Sequence, residues 1–282
     1  MARRRIYEFA EMARSGQRLV MVTAYDFPTA RLCQAAGVDL ILVGDSLGMA
    51  VYGEPDTLGV TLEDMVRHAA AVVRGAPDTF VVADLPFLTY QVSPEEALRN
   101  AGRLMQAARV QAVKLEGGRA VVPAVERLVR AGIPVMGHLG LTPQSVHQLG
   151  GFRLQARQVE AARALLADAR ALQAAGAFAV VLEMVPGEVA RWVTEHLDIP
   201  TIGIGAGPGC SGQVLVLHDL LGLYVGHSPR FAKRYAELGT AVEDAVRRYA
   251  EEVRTGTFPG PDHTYAADPE LLRRLREEDA GA

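Results

Sequence analysis

The chain repeats one pattern: a short apolar run that stops at an ionisable residue or a glycine, followed by an amphipathic stretch. Leu40 to Val43 stops at Gly44-Asp45-Ser46, Phe80 to Ala83 at Asp84, and Ala112-Val113 runs into Lys114-Leu115-Glu116. Ile133 to Met136 meets Gly137-His138, Ala177 to Leu182 meets Glu183, and Thr201 to Ile204 meets Gly205-Ala206-Gly207. Short runs rich in Val and Ile, without polar alternation, are what parallel strands buried on both faces require. Leu19 to Ala24 and a weaker run, Val214 to Leu217, bring the predicted strands to eight.

Helices are predicted between them. Thr61 reads as an N-cap with Asp64 closing a capping box, for a helix that runs to Gly75. Ser93-Pro94-Glu95-Glu96 supplies a cap, a proline at the first helical position and two acids near the positive end of the helix dipole, starting a helix that ends near Ala108. Further helices are expected over 121–131, 155–175 and 188–196. This alternation predicts an α/β fold, a (β/α)8 barrel, whose strand C-termini converge on one face where sites are built. Thr240 to Thr255 is amphipathic, Phe258-Pro259-Gly260-Pro261 breaks it, and Asp268-Pro269-Glu270 opens a last charged segment. Residues 1–282 are therefore expected to form a single barrel domain with a C-terminal helical extension from about 240. The loop from Gly48 to Gly59, rich in Gly and Pro after a strand end, is where a lid is expected.

Composition narrows the picture. With 282 residues, 49% hydrophobic and 22% charged, the chain can bury one large core. The net charge is -4 and acids and bases are interleaved, which argues against a nucleic-acid or polybasic membrane surface. Cys33 and Cys210 stand far apart in no metal or redox spacing, so reduced thiols in a cytoplasmic protein are expected. Arg3 to Arg5 could imitate the start of a secretory leader, but Glu8 and Glu11 leave no apolar stretch after it, and no run is long enough to span a membrane.

The strand ends carry the chemistry. Asp45, Asp84 and Glu116 are carboxylates from successive strand ends, and three like charges in one cleft repel unless a cation neutralises them. Oxygen donors without His or Cys suit Mg²⁺ or Mn²⁺ better than Zn²⁺, although each carboxylate taken singly could cap a neighbouring loop. Lys114 and Glu116 are two apart on a strand, so their side chains leave the same face. A lysine aimed into the barrel beside acids is either a clamp for a substrate carboxylate or a Schiff-base nucleophile. His138 is a donor, a second base, or a hydrogen-bonded core histidine. Glu183 lies between Val180-Val181-Leu182 and Met184-Val185-Pro186, and apolar flanks of that kind raise a carboxyl pKa toward what a general base needs near neutrality. Gly203-Ile204-Gly205-Ala206-Gly207-Pro208-Gly209 fits neither the dinucleotide fingerprint nor the P-loop and reads as a tight loop that lets a ligand approach the backbone.

With these residues in view, the chain resembles ketopantoate hydroxymethyltransferase. Thr23-Ala24-Tyr25-Asp26, Gly44-Asp45-Ser46-Leu47-Gly48, Ala83-Asp84-Leu85-Pro86-Phe87, Lys114-Leu115-Glu116-Gly117-Gly118, Gly137-His138-Leu139-Gly140-Leu141-Thr142-Pro143, Leu182-Glu183 and Gly203-Ile204-Gly205-Ala206-Gly207 look like that family's motif series in order and spacing. The resemblance runs over roughly residues 5 to 265 and includes Phe258-Pro259-Gly260-Pro261-Asp262-His263. It departs from the family pattern at Gly53-Glu54-Pro55-Asp56 and at Pro208-Gly209-Cys210-Ser211, which bear on the lid and the folate contacts.

The resemblance implies a TIM barrel of the phosphoenolpyruvate/pyruvate type. By it, Asp45, Asp84 and Glu116 surround Mg²⁺, Asp45, Ser46, Asp84, Lys114 and His138 bind substrate, and Glu183 is the base. It further implies hydroxymethyl transfer from 5,10-methylenetetrahydrofolate to α-ketoisovalerate through a Mg²⁺-stabilised enolate. The product so implied is ketopantoate, at the first step of pantothenate synthesis, and the resemblance also implies a cytoplasmic homodecamer. Two alternatives stand beside this reading. A Mg²⁺-dependent 2-oxo-acid lyase or mutase of the phosphoenolpyruvate mutase/isocitrate lyase type would place a reactive Cys or an Arg-rich anion pocket after the fourth strand, where this chain has Gly117-Gly118-Arg119. A non-catalytic metabolite-binding barrel would keep the ligands and lose the base.

Overall fold

The computed structural model describes residues 3–224 and 229–280. They fall into two compact units, one of residues 3–220 and 229–233, the other of residues 221–224 and 234–280.

The first unit is a closed barrel of parallel strands in sequence order: β1 (Leu19–Thr23), β2 (Leu40–Val43), β3 (Phe80–Asp84), β4 (Ala112–Glu116), β5 (Val135–Gly140), β6 (Ala179–Glu183), β7 (Thr201–Ile204) and β8 (Gly212–Leu215), with β8 pairing back onto β1. All eight expected strands are present. The last begins two residues earlier than its apolar run, because Gly212 pairs with both Leu19 and Ile202. The chain leaves the sheet before Leu217, whose N–H is taken by Thr23 Oγ1 at 3.0 Å.

Helices α1 (Ile6–Arg14), α2 (Phe27–Ala35), α3 (Leu47–Ala50), α4 (Leu62–Gly75), α5 (Pro94–Arg103), α6 (Val122–Arg130), α7 (Val146–Leu149), α8 (Val159–Ala174), α9 (Gly187–Glu195) and α10 (Leu217–Leu221) fill the connections. Both caps read from sequence are formed: Thr61 Oγ1 accepts from the Asp64 N–H while Asp64 accepts from the Thr61 N–H, and Ser93 accepts from the Glu96 N–H. Helix α5 continues through a wider π-turn, Leu104–Ala108, and stops where Arg109 turns left-handed. Helix α8 starts later than its periodicity predicts. The Gln155 N–H is committed to the Met184 carbonyl at 2.8 Å, which ties this segment to the loop after β6, and Ala156 turns left-handed at φ 54°.

Inward positions follow the strand period of two. Leu40 and Leu42, Phe80 and Val82, Ala112, Met136, Ala179 and Val181 belong to one core cluster. Continuing the columns of β3, β4, β5 and β6 by two residues reaches Asp84, Lys114, His138 and Glu183, so the barrel interior changes from apolar to charged along these strands. The N-terminal end is closed by α1, which the sequence pattern did not announce. Phe9 is buried with its ring 5.1 Å from that of Phe80, edge to face, and 6.4 Å from that of Phe178. Arg4 ties the start of this segment to the buried Asp39 at 2.8 Å, and Asp39 also accepts from the Val20 N–H.

The second unit contains α11 (Leu238–Thr255) and α12 (Pro269–Asp279) with a turn at Pro261–His263 between them. The Phe258 ring packs on Tyr249 and His263 at 5.5 and 5.1 Å, and Arg273 links Glu270 and Glu277 along α12. Among the described residues, no helix is long and apolar enough to cross a membrane.

Candidate active site

Strand register makes the site residues neighbours. Asp84 pairs with Lys114 across β3 and β4, Glu116 with His138 across β4 and β5, and Gly140 with Glu183 across β5 and β6. A run of contacts crosses the mouth of the barrel. Lys114 Nζ lies 3.0 Å from Asp84 Oδ1 and 3.2 Å from His138 Nδ1, and His138 Nε2 lies 3.1 Å from Glu183 Oε2. Glu116 Oε1 flanks this line, 3.3 Å from His138 Nδ1. The contacts of Lys114 with Asp84 and of His138 with Glu183 are charge contacts off the hydrogen-bond line, so Asp84 Oδ1 and His138 Nε2 have no aligned hydrogen-bond partner.

Asp45 follows β2 and is held beside Asp84 by the backbone, its N–H donating to Asp84 Oδ2 at 3.0 Å. This approach needs Gly44, where a Cβ would come within 2.7 Å of Ser46 Oγ and 3.4 Å of Asp84 Oδ2. Ser46 Oγ is 2.9 Å from the hydroxyl of buried Tyr25. On the other side Gly140, at φ +90°, lets β5 pass the Glu183 carbonyl, which a Cβ there would meet at 2.2 Å. Asp45, Ser46, Asp84, Lys114, Glu116, His138 and Glu183 are thus brought together, as the strand-end pattern predicts.

Burial and mutual charge set the protonation states. Asp45 and Asp84 are both buried. Burial, then Asp84 and Glu116, raise the Asp45 pKa well above the carboxylate range, against the pull of Lys114 and Gln144. Burial raises that of Asp84 as well, with Lys114 and the Asp45 N–H opposing it. Burial works against the Lys114 charge, but Asp84, Glu116 and Asp45 prevail and hold its pKa above that of an ordinary lysine. For His138, burial and Lys114 push the pKa down, and Glu116 and Glu183 outweigh them and lift it to about 9. Beside the apolar flanks read from sequence, the immediate neighbour of Glu183 is therefore a histidine whose charged form is favoured by the surrounding carboxylates.

The donor set suits a cation in part. Among the described residues no three His, Cys, Asp or Glu side chains already converge at metal-binding distances. Asp45 and Asp84 nonetheless offer what a hard divalent ion takes: buried carboxylate oxygens, one of them, Asp84 Oδ1, lacking a hydrogen bond, in a pocket where a further positive charge would relieve the repulsion that raises Asp45. Glu116 is committed elsewhere, with Oε2 accepting from the Gln144 N–H at 3.0 Å and Oε1 facing His138.

Three buried polar residues of this pocket, Tyr25, Tyr90 and Gln144, escape a reading based on strand ends. They lie on connecting segments; Tyr25 stands within the Thr23-Ala24-Tyr25-Asp26 motif and Gln144 next after Thr142-Pro143, while Tyr90 lies outside the motifs.

Comparison with known proteins decides the family. The family model described as ketopantoate hydroxymethyltransferase matches residues 3–261. The chain belongs to this family. The 3-methyl-2-oxobutanoate hydroxymethyltransferase of Gluconacetobacter diazotrophicus is 59% identical over 274 residues, 97% of this chain and 99% of that protein. That of Chloroflexus aurantiacus is 57% identical over 275 residues, 97% of each. Solved structures of similar fold are more distant. 2,3-Dimethylmalate lyase, a member of the phosphoenolpyruvate mutase/isocitrate lyase superfamily, aligns with TM-score 0.58 and 22% identity over 98% of this chain and 95% of its own. Phosphonopyruvate hydrolase, in complex with oxalate and Mg²⁺, aligns with TM-score 0.59 and 13% identity over 99% and 97%. These likenesses are of fold alone, a (β/α)8 TIM barrel, as expected from the sequence.

Proposed function

We propose that the chain transfers a hydroxymethyl group from 5,10-methylenetetrahydrofolate to α-ketoisovalerate, giving ketopantoate and tetrahydrofolate at the first step of pantothenate synthesis. The observation that carries this reading is the charged line Asp84–Lys114–His138–Glu183 across the barrel mouth, which sets a fixed cation and a carboxylate base in one pocket. Asp45 and Asp84, with Glu116 beside them, would hold Mg²⁺, whose bound charge polarises a 2-oxo acid and lowers the cost of removing its C3 proton.

The side chains do the rest. Lys114 remains an ammonium among its acids, which suits it to attract the substrate carboxylate and leaves it a poor amine nucleophile. Ser46, steadied by Tyr25, offers a hydroxyl at the same end of the pocket. Glu183 takes the C3 proton, with His138 orienting its carboxylate from 3.1 Å. The folate reacts in its ring-opened iminium form, in which one of the two C–N bonds of the methylene bridge has broken and that nitrogen has taken a proton. The electron pair freed at C3 adds to the iminium carbon to form the C–C bond. Hydrolysis then breaks the second C–N bond, water leaving its hydroxyl on carbon and a proton on nitrogen to give ketopantoate and tetrahydrofolate. Cytoplasmic location and assembly as a homodecamer belong to the same proposal.

The lyase or mutase alternative gains no support from the loop after β4, where Arg119 is committed to Asp168 at 2.7 Å. The test is to incubate the protein with α-ketoisovalerate and Mg²⁺ in deuterium oxide. Exchange at C3 is expected without folate, and ketopantoate only with methylenetetrahydrofolate. Cleavage of the 2-oxo acid, or no exchange, would overturn the reading.

A further inference from the structure

Gln144 lies in the turn after β5, buried, and takes no part in the chemistry above. Every hydrogen-bonding position of its amide is filled. Nε2 donates to Asp45 Oδ2 at 2.8 Å and to the Leu85 carbonyl at 3.0 Å. Oε1 accepts from the Tyr90 hydroxyl at 2.8 Å and from Gln91 Nε2 at 3.0 Å. The Leu85 carbonyl, which can only accept, determines which way round the amide lies, so Asp45 meets an N–H and not a lone pair. The backbone N–H of the same residue donates to Glu116 Oε2 at 3.0 Å. Tyr90 is in turn anchored on β4, its hydroxyl 3.1 Å from both the N–H and the carbonyl of Glu116. One loop residue thus reaches carboxylates delivered by β2 and β4, and the backbone just after Asp84 on β3.

We propose that Gln144 is a positioning residue for cation binding. By giving an N–H to Asp45 Oδ2 it keeps that carboxylate in a single orientation, with its other oxygen free for a divalent ion, and by giving its backbone N–H to Glu116 Oε2 it holds Glu116 alongside. Tyr90 and Gln91 act one step further out by setting the direction of its amide. The proposal rests on the reading of Asp45 and Asp84 as cation donors. Groups that hydrogen-bond to metal-binding side chains are worth about 10- to 100-fold in affinity when removed.

The probe is Mn²⁺, titrated into metal-free full-length protein without substrate and followed by the electron paramagnetic resonance signal of free Mn²⁺. Gln144→Met, similar in length but without the amide, is expected to weaken binding about 10- to 100-fold. Tyr90→Phe, which leaves the amide but removes one of the donors that orient it, is expected to weaken it in the same direction by less. With either variant, raising Mg²⁺ should restore kcat toward the wild-type value, a rescue that general damage to the fold would not allow. Should Gln144→Met fail to fold, Tyr90→Phe alone decides. Folded variants that bind Mn²⁺ within about twofold of wild type would overturn the positioning role and leave the cation reading intact. A wild-type protein that binds no Mn²⁺ would overturn both.

Discussion

The two ends of the barrel are built from the same strands and the same inward-facing columns, yet they do opposite things. At the N-terminal end Phe9, Phe80 and Phe178 close the interior with packed rings. Four residues on from Phe80, Asp84 begins a pocket that buries carboxylates, an ammonium and an imidazole. The first end lowers the free energy by removing apolar surface from water, and the second spends part of that gain on desolvated charge. The contrast teaches where a substitution should change stability and where it should change chemistry.

The largest effect should come from the charged end. Chelation with EDTA is expected to abolish turnover, and Mg²⁺, Mn²⁺ or Co²⁺ to restore it. Steady-state assays before and after metal addition check this, and full activity in excess EDTA would end the cation reading. Next, Glu183→Gln should lower kcat by about 10²- to 10⁴-fold, the usual worth of a general base, while α-ketoisovalerate still binds. Loss of C3 exchange in deuterium oxide identifies the step. Exchange at the wild-type rate would pass the base role to another residue, His138 being the first candidate.

The apolar end should behave in the reverse way. Phe9→Ala is expected to destabilise the protein by about 3–5 kcal/mol in urea unfolding, through lost burial and the cavity left between Phe80 and Phe178. Its kcat, measured on the folded fraction, should stay near wild type. A large fall in kcat without a fall in stability would break the division between the two ends.

The smallest expected effect sharpens the comparison by pH. The His138 pKa is lifted from the ordinary 6.5 to about 9, so its charge stabilises the metal-free fold fully below pH 6.5, and that contribution is lost as pH rises through about 9. In EDTA, the stability gap between wild type and His138→Gln should therefore narrow between those values, whereas the gap for Phe9→Ala should stay flat. A gap for His138→Gln that does not change with pH would mean the imidazole is neutral in the free protein.

Much of the fold and the site is legible in the sequence. The strands show because a strand buried on both faces needs an unbroken apolar run, and the site residues show because they terminate those runs, Asp84 after Phe80 to Ala83 and Glu183 after Ala179 to Leu182. Helix α1 escapes such a reading for a physical reason. Arg5 makes no side-chain cap and the segment is only 9 residues long, so it declares itself chiefly by what Phe9 and Met12 bury. Tyr90 and Gln144 escape it because a polar loop residue is ordinarily solvated; the Thr142-Pro143 motif beside Gln144 marks the loop without marking the side chain, and Tyr90 lies outside the motifs.

The sequence alone determined the order of strands and helices, the caps at Thr61 and Ser93, and which acids and bases stand at strand ends. These depend on the period of side chains along an element and on interactions within a few residues. The tertiary structure alone decided which strand ends meet. Barrel closure sets Asp84 beside Lys114 and Glu116 beside His138, and it brings Gln144 to Asp45 across 99 residues of chain. Contacts at that separation arise from register and shear, and the protonation of His138 is set in turn by the carboxylates those contacts bring to it.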